Sequence, residues 1–318
     1  MQAFTVNIKT KGEKRMRTES ITAVDGKKIS LKIWDDVQSP VGVVQIVHGM
    51  SEHILRYSDF AEYLNVSGLI VVGDDHRAHG DTDPESLGLS GEGDLFEKTV
   101  DDEKVITALI KMRYKLPVVI LGHSYGSFLT QRYLTLGTDE IDGAVLMGSA
   151  AMGGLVVNLG RKLAEGKVKK GKKDEPGNTF AKLTFEAYDK KIKDGTNGWL
   201  NRDKAEVEKY NSDSKCGFAC SNGFYYYFFG GLQAIAKDKG SQIRKDLPLL
   251  IISGDADGVG GYGELVKKLH KRYEGFGLNP KLKLIEGARH EILNETNKLE
   301  TYDEVRNFVL DAVKNKKA

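Results

Sequence analysis

The chain has 318 residues, 40% hydrophobic and 29% charged, with a formal net charge of +2. This length can bury a full core, as one large α/β domain with an insertion or as two domains. The near-balanced charge excludes a global bias toward nucleic acid or an anionic surface, no run approaches the ~18 apolar residues of a membrane-spanning helix, and residues 1–18 are polar and basic without the apolar stretch of a signal peptide.

In chain order, 20–24 and 29–34 predict a β-hairpin around Asp25-Gly26, a pair that accepts positive φ. Residues 41–47 are apolar almost throughout and predict a strand buried on both faces, ending in His48-Gly49-Met50-Ser51-Glu52-His53. Tyr57, Phe60, Ala61 and Leu64 fall at near-helical spacing, and Gly68 stops that helix. A second buried strand, 69–73, runs into Asp74-Asp75-His76-Arg77-Ala78-His79-Gly80. A polar, glycine-rich loop covers 81–94, and a helix is predicted over 95–114 with Val100, Val105, Ile106, Leu109 and Ile110 on its apolar side. Strands follow at 118–121 and 141–148. Strands alternating with helices at this spacing predict a mostly parallel central sheet covered by helices on both faces.

The texture changes near Ala150. From 151 to 240 no strand is predicted; 161–173 holds seven basic residues against Glu165, and 222–231 is densely aromatic. Cys216 and Cys220 give no disulfide framework, and their spacing suits one face of a helix; the compartment that fits is the cytoplasm. The α/β rhythm resumes with strands at 247–254 and 281–285 and helices at 261–275 and 299–315. The expected organisation is an α/β core made of 1–150 and 241–318, with 151–240 inserted as a helical cap.

Between the strand at 118–121 and a helical pattern through Gln131, Arg132 and Leu134 stands Gly122-His123-Ser124-Tyr125-Gly126, a G-x-S-x-G. A serine in a sharp strand-to-helix turn projects its hydroxyl, and small flanking residues let the chain turn that tightly. The helix that follows directs its positive end at the spot where an oxyanion would form. The alternative is a glycine-rich turn that only packs a helix onto a sheet. A serine hydroxyl needs a base, itself oriented by a carboxylate. The loop after the penultimate strand supplies Asp255-Ala256-Asp257, and the loop after the last supplies Gly287-Ala288-Arg289-His290-Glu291. Carboxyl ends of parallel strands meet at one edge, so Ser124, an aspartate and His290 can converge, in the Ser, Asp, His order of the α/β-hydrolases. Asp257 is favoured because the loop must travel past Gly254 to reach the imidazole, leaving Asp255 to cap the turn. The oxyanion donors are the backbone N–H groups of Tyr125 and Met50, with Gly49 allowing the turn. His48 and His123 are expected to shape loops, and His270 to be solvated. His53, His76 and His79 lie near acids at no spacing that defines a metal site, and neither metal nor cofactor is expected.

Together, His48-Gly49-Met50-Ser51-Glu52-His53 with Arg56-Tyr57, Asp75-His76-Arg77-Ala78-His79-Gly80, Gly122-His123-Ser124-Tyr125-Gly126, Trp199-Leu200-Asn201-Arg202-Asp203 and Ala288-Arg289-His290-Glu291 resemble the monoacylglycerol lipase/lysophospholipase branch of the α/β-hydrolases, also labelled serine aminopeptidase S33-like. The resemblance spans nearly the whole chain. It implies the α/β-hydrolase fold with a helical cap, a Ser124–Asp257–His290 triad, and Met50 and Tyr125 as oxyanion donors. Two positions depart from that pattern: Ala78 stands where glycine is usual, and Gly258 where bacterial relatives often carry proline.

The expected activity is that of a serine carboxylic-ester hydrolase working through an acyl-enzyme on monoacylglycerol, lysophospholipid or other medium-chain acyl esters. Its partner is then a small ester or lipid and not nucleic acid. The alternatives are a small-ester or aryl (feruloyl-type) esterase, an amidase or aminopeptidase using cap acids such as Glu186, Asp189, Asp203 or Glu206, and a non-catalytic binding protein of the same fold. Leu155, Phe224, Tyr227 and Phe228 are candidates for an acyl pocket, unless the aromatics are the cap's own core. The basic run 161–173 offers a transient membrane-surface contact, unless it is a solvated face. Oligomeric state is left open.

Overall fold

The computed structural model describes residues 16–183 and 185–315; positions 1–15 of the stretch read above as lacking a signal peptide lie outside the described residues. A hairpin comes first, β1 (Arg17–Thr22) and β2 (Lys28–Trp34). Strands and helices then alternate as β3 (Gly42–Val47), α1 (Ser58–Val66), β4 (Leu69–Asp75), α2 (Leu95–Tyr114), β5 (Val118–His123), α3 (Tyr125–Thr135) and β6 (Gly143–Met147). Five helices follow: α4 (Gly154–Lys169), α5 (Asn178–Leu183), α6 (Phe185–Ile192), α7 (Lys204–Ser212) and α8 (Asn222–Lys237). The chain returns to the sheet with β7 (Leu249–Gly254), α9 (Glu264–Gly275), β8 (Lys281–Ile285) and α10 (Lys298–Asn315).

Among the described residues the strands form one sheet, in the order β1-β2-β4-β3-β5-β6-β7-β8. β2 runs antiparallel to β1 and β4, and every pairing from β4 to β8 is parallel. The residues of β3 to β7 are buried throughout, as a parallel sheet covered on both faces requires. Val44, Ile46, Leu121, Met147 and Ile252 meet Phe60, Leu64 and Phe308 of α1 and α10. Val47, Ile120, Leu146 and Ile251 belong to the cluster on the other face, with Leu129 of α3 and Val266 of α9. This period-two division follows from alternating side-chain directions along a strand. Each fully buried Leu, Ile or Phe is worth ~1.5–3 kcal/mol, so the layered core can hold strained turns at its edge.

The second cluster continues beyond the sheet. Phe224, Leu232 and Ile235 of α8 are part of it, and α8 packs on α2, α3 and α4. The inserted helices therefore share apolar packing with the sheet. A smaller seam of Trp199, Leu200, Tyr210, Cys216 and Val259 joins α6 and α7 to the loop after β7.

Two expectations need correction. Cys216 and Cys220 are buried free thiols in the connection between α7 and α8, where Gly217 at φ +65 interrupts any helix, so they share no helical face. His270 is not simply solvated: its Nε2–H donates to the Pro280 carbonyl (2.9 Å), tying α9 to the start of β8. No helix among the described residues is long and apolar enough to cross a membrane.

Candidate active site

β5 ends at His123 and α3 starts at Tyr125, leaving Ser124 alone in the turn at φ +53, ψ −119. A side chain held at such a φ costs of order 1–3 kcal/mol and persists only where its surroundings enforce it. Here the Ser124 N–H donates to Met147 O (3.0 Å), and Ser124 O accepts from the Ser127 N–H (2.9 Å). The flanking glycines allow a close approach. A Cβ on Gly126 would stand 2.0 Å from Val47 O and 2.4 Å from His48 O, and one on Gly122 would stand 2.4 Å from Gly126 O. Their absence seats α3 directly against the end of β3, whose following loop carries Met50.

The structure brings Ser124, His290 and Asp257 together. Ser124 Oγ is 2.8 Å from His290 Nε2, and His290 Nδ1 is 3.0 Å from Asp257 Oδ2. Asp257 and His290 are buried, whereas Ser124 keeps some exposure. Asp257 also accepts from the Ser253 hydroxyl (3.1 Å) and the Val259 N–H (2.8 Å). Burial pushes its carboxyl up, but His290 and these donors outweigh that and hold it below the usual carboxylate range. A carboxylate can only accept, so Nδ1 carries the proton and the Nε2 lone pair faces the serine hydroxyl. Asp255 instead accepts from the Gly287 N–H (2.7 Å), between the two loops.

Met50 and Tyr125 present backbone N–H groups that no protein acceptor takes among the described residues. The Tyr125 N–H is the first of α3 and has no intrahelical partner by construction. The Met50 loop is fastened on several sides. His48 Nδ1–H donates to Gly49 O (2.8 Å), the Gly49 N–H to Glu52 Oε1 (2.6 Å), and the Ser51 N–H to His79 Nε2 (3.1 Å). Glu52 also bonds Arg56 Nη1 (2.7 Å) and accepts from the Tyr57 hydroxyl (2.8 Å), which sits 2.9 Å from His123 Nδ1. Arg56 then grips Glu291, the neighbour of His290, through two bonds of 2.5 and 2.7 Å. Burial opposes the Glu52 charge, yet His123 and Arg56 hold its carboxyl well below the usual range. Glu52, Arg56 and Glu291 thus tie the Met50 loop to the His290 loop. The sequence offered these residues only as parts of motifs, because their pairing spans 235 positions.

The candidates for an acyl pocket differ in their surroundings. Leu155 is 87% exposed, in the first turn of α4. Phe224 is buried against Tyr125 and His79. Phe228 is half-buried on Phe96, Tyr125 and Phe128, and Tyr227 lies edge-on to Tyr226. A hollow of about 460 Å³ lies beside His53, Arg56, Asp59, Lys209 and Asp213, and touches none of Ser124, Asp257 or His290. The segment between α6 and α7 does reach the site: the centroid of the Trp199 ring sits 5.0 Å from that of His290.

Ala78 adopts φ +65, a left-handed backbone that favours glycine, so the alanine is held there under strain. Among the described residues, two groups of side chains bring three potential ligand atoms within 4.8 Å of one another: His53, Asp213 and Cys216, the latter two between α7 and α8, and Asp74, His76 and Glu103 at β4 and α2. Neither includes Ser124 or His290. Glu103 went unnoticed in the sequence, although its spacing from Val100, Ile106 and Ile110 places it on the buried side of α2.

With this geometry established, comparison with known proteins gives the family. The sequence profile described as Serine aminopeptidase, S33 matches residues 38–297. A monoglyceride lipase homolog of Monkeypox virus is 25% identical over 94% of this chain and 100% of its own length. The monoacylglycerol lipase of Mycolicibacterium smegmatis is 26% identical over 92% of this chain and 96% of its own. A thermostable carboxyl esterase from Bacillus coagulans, solved in complex with glycerol, superposes with a TM-score of 0.86 at 25% identity, covering 94% of this chain and 99% of that one. The chain is an α/β-hydrolase of the serine aminopeptidase S33 family, in the branch that holds the monoacylglycerol lipases.

Proposed function

We propose that the chain is a serine carboxylic-ester hydrolase that cleaves monoacylglycerol-type esters through an acyl-enzyme. The observation that carries this reading is the relay from Ser124 Oγ to His290 Nε2 (2.8 Å) and from His290 Nδ1 to a dry Asp257 (3.0 Å). Ser124 attacks the ester carbonyl as His290 takes its proton, and Asp257 steadies the imidazolium. The oxyanion is received by the N–H groups of Met50 and Tyr125; such donors are worth about 2.7–4 kcal/mol each in the transition state. His290 then protonates the leaving alcohol, and a water activated by the same imidazole releases the acid.

The aminopeptidase alternative requires free cap acids to hold an amine. Asp189 accepts from the backbone of Asn197 and Trp199, Asp203 caps α7, and Glu206 pairs with Lys209. Three of the four candidates are thus committed, which favours esters. We further propose that 151–240 acts as a cap and meets lipid surfaces through α4. Its Leu155, Val156 and Leu159 are exposed at 87, 81 and 59%, beside the basic residues of 161–173. Phe224 and Phe228 form the wall beside Tyr125 in this reading, and the cytoplasmic location rests on two unpaired buried thiols.

The test is hydrolysis of p-nitrophenyl esters from C2 to C16, with 1-monoacylglycerol and lysophosphatidylcholine, against Ser124→Ala as the blank. Turnover of medium and long chains supports the reading. Turnover confined to C2–C4 replaces it with a small-ester esterase, and none above the blank overturns it.

A further inference from the structure

Behind the Met50 loop lies a second cluster of titratable groups that the reaction does not use. Asp74, His76 and Glu103 are each 1% exposed. His76 Nδ1 is 3.0 Å from Asp74 Oδ2 and 3.3 Å from Glu103 Oε1. Asp74 Oδ1 and Glu103 Oε1 have no other hydrogen-bond partner, although both are buried. The remaining Glu103 oxygen accepts from Gln45 Nε2 (2.7 Å), whose own oxygen accepts from Thr107.

The surrounding bonds fix the proton positions. His76 Nε2 faces the His48 carbonyl (3.1 Å), which cannot donate, so Nε2 carries a proton. The His76 backbone N–H donates to His48 Nε2 (3.0 Å), so that nitrogen is bare and His48 donates through Nδ1 to Gly49 O. By the same logic His79 accepts from Ser51 at Nε2 and donates from Nδ1 to Arg77 O (2.9 Å). Only His76 Nδ1 is left, and it points at two carboxyl groups. With no further protons, three acceptors would face one another in a buried site.

We propose that Asp74, His76 and Glu103 form a net-neutral proton-sharing cluster, an imidazolium between a carboxylate and a carboxylic acid, that positions the Met50 N–H through His48. Asp74 is the carboxylate, and Glu103 keeps its proton toward Asp74. Around the cluster, Asp102 and Asp25 share Arg77, Asp25 also pairs with Lys98, and Asp75 accepts from the Ile54 and Asp81 N–H groups. The Glu103 carboxyl is pushed well above its usual range by burial and by Asp74; burial lowers His76, but Asp74 more than offsets it. His76 stacks on His48 with ring centroids 3.8 Å apart. His48 grips the carbonyl of the Gly49–Met50 peptide, and in a trans peptide the Met50 N–H then points the opposite way. His76 and Asp74 are therefore positioning residues, which rests on the ester-hydrolase reading of Met50.

The experiment uses the full chain labelled with ¹⁵N-histidine. At pH 7.5 both ring nitrogens of His76 should report as protonated, while His48 and His79 report as neutral with the proton on Nδ1. Asp74→Asn should return His76 to neutral and lower kcat on a soluble ester roughly ten- to a hundred-fold, at or below the low end of the roughly 10²–10³-fold cost of removing an oxyanion donor outright because the Met50 N–H is displaced and not deleted, with KM little changed. Glu103→Gln, which keeps a donor toward Asp74, should lose less than Glu103→Leu. A bare His76 Nδ1 in the wild-type chain overturns the cluster, as does stoichiometric divalent metal in the purified protein. Should Asp74→Asn fail to fold, the wild-type spectrum and the Glu103 pair still decide. Absence of wild-type turnover above Ser124→Ala overturns the ester reading and the positioning role with it, while the His76 spectrum judges the cluster separately.

Discussion

The carboxyl edge of the sheet and the outer face of α4 are built on opposite terms. At the edge, Asp257, Glu52, Arg56 and Glu291 are withdrawn from water and bonded to one another or to the loops they hold. On α4, Leu155, Val156, Leu159 and Leu163 stand out in solvent at 87, 81, 59 and 45% exposure. The first region is complete within the chain, so its geometry follows from strand order and a few close approaches. The second is apolar surface left for something else to cover. The geometry of the first is thus fixed internally, whereas the second leaves open what it meets.

If that contrast is right, damage at the edge should be severe and specific. Ser124→Ala should lower kcat on p-nitrophenyl esters roughly 10⁴-fold or more with no change in melting temperature, because only the nucleophile is lost. Retained turnover would remove the triad. Arg56→Met leaves Glu52 and Glu291 buried without their shared cation, which typically costs about 3–5 kcal/mol. Urea unfolding should show that loss, and kcat should fall with it, since the Met50 and His290 loops are no longer tied. Unchanged stability would mean that the bridge is incidental to the edge.

The next effect is smaller and depends on pH. Burial, reinforced by the neighbouring His76, lowers His79 from 6.5 to about 4. The unfolded chain therefore binds a proton at this residue between those values while the folded chain does not, and stability is lost as pH falls through the window. At about 1.36 kcal/mol per unit, the full loss is about 3 kcal/mol. Urea stability measured from pH 7 to pH 4 should decline less steeply in His79→Asn than in the wild type. Equal slopes would show that the histidine is not kept neutral by the fold.

What could be read from the sequence divides along the same line. Buried strands, the G-x-S-x-G turn and the Ser, Asp, His order are local patterns, or follow from topology, and the structure places Ser124, Asp257 and His290 in contact. Partnerships such as Arg56 with Glu291, or Asp74 with Glu103, depend on which loops and helices face one another, and no local pattern encodes that. What α4 meets was not legible either. The apolar residues at positions 155, 159 and 163 have the same spacing whether they face a core or a lipid, so periodicity marks a face without saying what covers it. Ala78 shows the converse: where glycine was expected, an alanine is held at φ +65, in the region that favours glycine.

The mildest prediction tests the α4 side of the comparison. Leu155→Ser with Leu159→Ser removes two exposed apolar side chains whose loss leaves no cavity, so folding stability should stay within ±0.5 kcal/mol of the wild type. Hydrolysis of p-nitrophenyl acetate, which reaches Ser124 from solution, should be unaffected. Hydrolysis of monoacylglycerol presented in vesicles should fall several-fold, and binding to those vesicles with it, because each buried aliphatic side chain contributes ~1.5–3 kcal/mol to insertion at an interface. A larger loss with anionic vesicles than with neutral ones at high salt would assign part of the contact to the basic residues of 161–173. Equal losses on the soluble and the vesicle-borne ester would instead make the stripe part of the catalytic fold, and the separation between edge and surface would fail.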